Sequence, residues 1–106
     1  MRLKTLTAQA DFQEIYESGQ KQVAKSFVAF FKAGTKFKCA AVASRKTIGI
    51  AVKRNRAKRL LRELVRGVKD KPAGSLILVA RASLLERNFA GVKKELEQCL
   101  KNWQSA

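Results

Sequence analysis

Ala51-Val-Lys-Arg-Asn-Arg-Ala-Lys-Arg-Leu-Leu-Arg-Glu-Leu-Val-Arg66 is the stretch on which the fold turns. Ala57, Leu60, Leu61, Leu64 and Val65 recur at the spacing of a helix with one apolar stripe, running from about Val52 and fading at Gly67. An advance of about 100° per residue gathers Asn55, Lys58, Arg59, Arg62 and Arg66 on the side away from the leucines, with Arg56 on its flank. The cations therefore form a face. Arg45, Lys46, Lys53 and Arg54 come before it and crowd the helix N-terminus, which already carries a partial positive charge.

Outward from this helix the period changes. Ser75-Leu-Ile-Leu-Val-Ala80 is a near-continuous apolar run, as expected of a strand in the middle of a sheet, and the turn-forming segment from Lys69 to Gly74 separates it from the helix. On the other side, Phe27 to Phe31 and Cys39 to Ala43 are short apolar runs joined by Lys32-Ala-Gly-Thr-Lys36, which reads as strand, turn, strand. Gln20 to Ala24 adds a brief edge strand. Thr7 can cap a first helix with Phe12, Ile15 and Tyr16 on its apolar side, and Gly19 suits its C′ position. Asn88 can cap a last helix carrying Phe89, Val92, Leu96, Cys99, Leu100 and Trp103 on one side, with Glu97 and Lys101 paired on its exterior and Gly91 weakening its first turn. The predicted order is αβββαβα, an α+β fold. It is a small α/β sandwich with a mixed four-stranded sheet, residues 1–106 forming one domain with the basic helix as crossover.

With 106 residues, 46% of them hydrophobic, the chain can bury a modest core. Its 23 Lys and Arg against 8 Asp and Glu give a net charge of +15, a self-repulsion that a polyanion would relieve. No segment approaches the roughly 20 apolar residues of a membrane-spanning helix, and Met1 to Thr7 carries no apolar signal core, so the expectation is a soluble cytoplasmic protein without a membrane partner. Cys39 and Cys99 lie far apart, and there is no histidine to complete a metal site or act as general acid or base. The cysteines are expected to be buried free thiols. The eight acids are scattered, which argues against catalysis by the protein itself.

A mixed Lys/Glu helix face would ordinarily be read as solvated surface. Here the sign is nearly uniform, Arg predominates and Glu63 is the one opposing acid in the stretch, which points to a nucleic-acid surface. Arginine's forked donors and the free N–H groups of a helix N-terminus both suit phosphate oxygens.

Lys53-Arg-Asn-Arg-Ala-Lys-Arg-Leu-Leu-Arg-Glu63, preceded by Ala43-Ser-Arg-Lys46 and Ile48-Gly49, closely resembles the signature of the bacterial ribonuclease P protein subunits. The likeness runs through almost the whole chain. Asp11-Phe12 and Tyr16 resemble that family's first helix, Phe27 to Phe30 its aromatic strand, and Leu78-Val-Ala-Arg81 its last strand. Ser44 to Val52 is one residue longer than the family's usual spacing, which leaves the placement of Arg45 and Lys46 on the family's motif open, and Ala40 stands where glycine is common.

The resemblance implies a noncatalytic subunit, one copy per catalytic RNA, that binds this ribonuclease P RNA and helps it remove the 5′ leader from precursor tRNA. It implies Mg²⁺ held chiefly by the RNA and none bound by the protein alone. It places Arg54, Asn55, Arg56, Lys58, Arg59 and Arg62 on a helix that meets RNA and borders a cleft, and makes the β-α-β crossover left-handed where the general rule would have it right-handed. Its leader cleft corresponds to Phe12, Tyr16 and Phe30, since single strands are held by basic grooves with aromatic platforms. From the pattern alone Phe12 and Phe30 fit a core as well as a cleft, whereas the Tyr16 hydroxyl prefers a wet edge. Phe27, Phe31, Phe89 and Trp103 are assigned to the core. The rival readings are a general RNA binder of ribosomal or chaperone type, a nucleoid DNA binder and a metal-dependent nuclease. The DNA binder lacks a dimer seam, and the nuclease lacks a carboxylate cluster.

Overall fold

Side chains alternate across a strand, and in this chain the alternation gives the sheet two buried faces of unequal depth. The structure, a computed structural model, describes residues 9–68 and 73–104. Its elements are α1 (Gln9–Ser18), β1 (Gln20–Val23), β2 (Phe27–Ala33), β3 (Lys38–Val42), α2 (Arg45–Ile48), α3 (Ala51–Arg66), β4 (Gly74–Ala80), a 3-10 turn (Leu84–Glu86) and α4 (Phe89–Gln104). The expected Thr7 cap and residues 69–72 of the expected turn lie outside the described residues.

The sheet order is β1-β2-β4-β3. β4 is central, antiparallel to β2 and parallel to β3, with Phe31 opposite Leu76 and Cys39 level with the same residue. This is the mixed four-stranded sheet and α+β arrangement anticipated from the pattern.

One face carries the main core. Phe27, Ala29 and Phe31 of β2, Cys39 of β3, and Leu76, Leu78 and Ala80 of β4 meet Ala57, Leu61, Leu64 and Val65 of α3 and Val92, Leu96, Cys99, Leu100 and Trp103 of α4. Phe31 stacks on Trp103, with ring centroids 4.5 Å apart. The opposite face is thinner: Ala40, Ile77 and the half-buried Phe30, Val42 and Val79 pack with Ile15 of α1. Both cysteines are buried and neither is in a disulfide, and burial, with a smaller push from Glu95, raises the Cys99 thiol above its ordinary pKa.

Two local expectations need correction. Phe89, assigned to the core, is 45% exposed, because the core at that end is filled by the fully buried Leu84 of the 3-10 turn, and the inward stripe of α4 begins at Val92. Gly19 ends α1 without a left-handed conformation, since the described residues with positive φ are Gly49 and Gly74. Its N–H bonds the Ile15 carbonyl at 2.8 Å, and a Cβ there would stand 2.4 Å from that oxygen and 2.9 Å from the Phe31 carbonyl. Glycine is needed at this point for close approach, where helix and sheet meet.

Polar groups fix α4 to the first hairpin. Ser26, fully buried, donates its hydroxyl to Glu95 at 2.7 Å, and the Lys25 N–H donates to the other carboxylate oxygen at 2.9 Å. Gln22 adds a bond to the Cys99 carbonyl at 3.1 Å. At the start of the helix the Gly91 N–H bonds Asn88 Oδ1 at 2.7 Å, the cap expected from the sequence.

Leu61 is fully buried between α3 and the sheet, so Leu61→Ala is expected to destabilise the protein by about 2–5 kcal/mol in urea unfolding. A change in midpoint too small to measure would remove Leu61 from the core.

Candidate nucleic-acid interface

Asn55, Lys58, Arg59, Arg62 and Arg66 line one shallow groove along the outer side of α3, with Glu63 as the acidic member of its wall. The helix can present this face because its other side is held down by Ala57, Leu61, Leu64 and Val65. Lys53 and Arg56 are exposed on the flank of the same helix. The groove thus assembles the face expected from the helical spacing.

Arg54 behaves differently. It is three residues before Ala57 and seven before Leu61, so it continues the inward stripe and is only partly exposed, and its Nε is buried without a hydrogen-bond partner. With Arg45, Gly49, Ile50 and Ala51 it lines a second concavity at the start of α3. Ile50, the N-cap residue, gives α3 no side-chain cap, and the first turn holds no acid to offset the helix dipole.

Arg45 and Lys46 lie on α2, a single turn not anticipated from the pattern. Ser44 caps it, its hydroxyl accepting the Thr47 N–H at 3.1 Å, and Gly49 at φ 103° redirects the chain into α3. The signal for it was Ser44 three residues before Thr47, but four residues carry too little periodicity to reveal a helix. Ile48 reaches the main core, whereas Thr47 lies beside Val28 and Val79 of the other sheet face. α2 therefore bridges the two faces.

The aromatic residues lie on the thinner face. The Tyr16 ring meets Phe30 edge-on, with centroids 4.8 Å apart and planes at 84°, and Tyr16 is 41% exposed. Partial burial raises its phenol above the ordinary pKa. Phe30 is half-buried against Ile15, Ala40 and Ile77, so one side of it serves the core while its ring also meets the open edge. Lys21 of β1 places Nζ 5.9 Å from the Phe30 centroid. Phe12 lies within α1, but its side chain falls outside what the structure describes.

Because Phe30 and Phe31 alternate across β2, the Tyr16–Phe30 pair and the packing surface of α3 are on opposite faces of the sheet. The resemblance implies that the basic helix borders the leader cleft. Which face of the sheet a helix covers depends on the hand of its crossover, which the local residue pattern does not record. Lys21 carries one signal in the sequence, its place in a short strand that could pair with the aromatic one.

Among the described residues, no group of three or more His, Cys, Asp or Glu stands together to hold a metal ion, and no helix is long and apolar enough to cross a membrane.

Comparison with known proteins gives a consistent result. The family model described as Ribonuclease P matches residues 1–104. A ribonuclease P protein component from Nitratiruptor sp. is 33% identical over 99 residues, covering 92% of this chain and 90% of the relative. Among solved structures, a Staphylococcus aureus RNase P protein mutant described as defective in mRNA degradation activity superposes with a TM-score of 0.82 at 29% identity, covering 94% of this chain and 87% of that one. The RNase P protein from Thermotoga maritima superposes with a TM-score of 0.77 at 29% identity, covering 95% and 97%.

Proposed function

The chain belongs to the ribonuclease P protein family, and on that premise we propose that it is the protein subunit of a ribonuclease P ribonucleoprotein, which removes the 5′ leader of precursor tRNA. The catalytic RNA performs the phosphodiester hydrolysis. The polypeptide is a cytoplasmic RNA-binding domain that joins that RNA in a one-to-one complex. The observation that carries this reading is the groove of Asn55, Lys58, Arg59, Arg62 and Arg66 on a chain of net charge +15.

Each phosphate bound by such a face releases condensed counterions, so affinity gained this way is entropic and falls steeply with salt. Arginine's planar fork bonds two phosphate oxygens at once, and the apolar stripe beneath the groove holds the helix so that several forks stay in register. Arg45 and Arg54 extend the cationic surface around the start of α3, and Lys46, Lys53 and Arg56 extend it along the flanks. In this proposal Mg²⁺ is held chiefly by the RNA, and no step runs through a metal held by the protein. Tyr16 and Phe30, with Phe12 on the same helix as Tyr16, provide the aromatic side of a site for the single-stranded leader.

Arg62→Ala is expected to weaken binding to the catalytic RNA and to lower the slope of log affinity against log salt by up to about one unit; an unchanged slope refutes a phosphate contact there. Tyr16→Ala is expected to reduce the preference for a leader-bearing precursor over mature tRNA, by about 1–3 kcal/mol if a base stacks on it. Equal losses for both RNAs would point to a general RNA binder and contradict the leader site.

A further inference from the structure

The sheet separates the cations of the α3 groove from the aromatic pair, while Arg45 and Lys46 lie on α2, which bridges the two faces. The groove of α3 lies beyond the main core on one face, while Tyr16 and Phe30 lie on the other. A single strand laid over the aromatic pair would be held from the groove by a sheet and a packed helix, and the helix alone, about 10–12 Å across, exceeds the Debye length of about 8 Å in physiological salt. Its phosphates need a cation on their own face. Lys32 on that face is ion-paired with Glu14 of α1. Lys38, at the start of β3, belongs to the far edge of the sheet, and Arg81 donates to the Ala24 carbonyl at 2.8 Å.

Lys21 is placed differently. The β1–β2 register sets it directly opposite Phe30, so the two side chains rise from the same face with Cβ atoms roughly 5 Å apart. Its ammonium stands over the Phe30 ring at 5.9 Å, and the residue is exposed. A cation resting on an aromatic face marks the position a stacked base would take. The flexible four-carbon stem lets the ammonium leave the ring and stay within reach of the phosphate beside that base.

We propose that Lys21 is the leader-phosphate contact of this protein: it covers Phe30 when no RNA is bound, yields the ring to a leader base and pairs with the adjoining phosphate. This rests on the leader site proposed above. It divides the labour between the faces, α3 holding the catalytic RNA and Lys21 neutralising the leader.

The test uses the holoenzyme assembled with its cognate catalytic RNA, carrying wild-type protein, Lys21→Met, Lys21→Arg or Tyr16→Ala. Binding of a precursor tRNA with a short 5′ leader and of mature tRNA is measured over a salt series. Lys21→Met keeps the aliphatic stem and removes the charge. It is expected to weaken precursor binding about two- to fivefold, as for an exposed ion pair, and to lower the precursor salt slope by up to about one unit while leaving mature tRNA unchanged. Lys21→Arg should restore the slope. An unchanged precursor slope, or equal losses on both RNAs, overturns the assignment. If Tyr16→Ala separates the two RNAs and Lys21→Met does not, the leader site stands and Lys21 falls; if neither separates them, both readings fall.

Discussion

β4 is paired on both edges and covered on both faces, and its neighbour β3 runs parallel to it. Parallel neighbours cannot be joined by a tight turn, so the chain must leave the sheet after β3 and return along it before β4. α3 makes that return. A crossover helix buries one stripe against the sheet and leaves the other side to solvent, and Leu61, Leu64 and Val65 take the buried stripe. The outer side is then a rigid platform whose residues are free to be chosen for binding. In this chain nearly all of them are cations.

Such a surface is costly to the free protein. Seven Lys and Arg occupy the sixteen residues of α3, opposed within the helix only by Glu63, and its N-terminus has neither acid nor side-chain cap. Arg54 adds a buried Nε with no partner. Where charge does serve the fold, it takes another form. Glu95, 16% exposed, is held by Ser26 and the Lys25 N–H and stands 3.7 Å from Arg87, fastening α4 to the first hairpin. A fold that satisfies one carboxylate this fully while leaving its most basic helix opposed by a single acid is arranged for an anionic partner.

The parts legible in the sequence are those in which one periodicity ran long enough to declare itself. The apolar run of β4 and the two-sided pattern of α3 fixed the crossover and the groove, and Asn88 marked the start of α4. Other features depend on distant neighbours. Glu95 is indistinguishable from a solvated surface acid until Ser26 is brought to it from the other end of the chain. Leu84 displaces Phe89 from the core because of a 3-10 turn too short to leave a period. Gly19 is required by the approach of the Phe31 carbonyl, which no local pattern records. Which face of the sheet each helix covers depends on how the chain crosses over, and that too leaves no local pattern.

The central claim is that the basic crossover helix serves a catalytic RNA. The most direct measurement is cleavage of a 5′-extended precursor tRNA at low Mg²⁺ by the cognate ribonuclease P RNA, with and without this protein. The account predicts a large stimulation, cutting at the mature 5′ end, and no cleavage by the protein alone. Tight, indiscriminate RNA binding without stimulation would contradict it and leave α3 as a general RNA-binding surface.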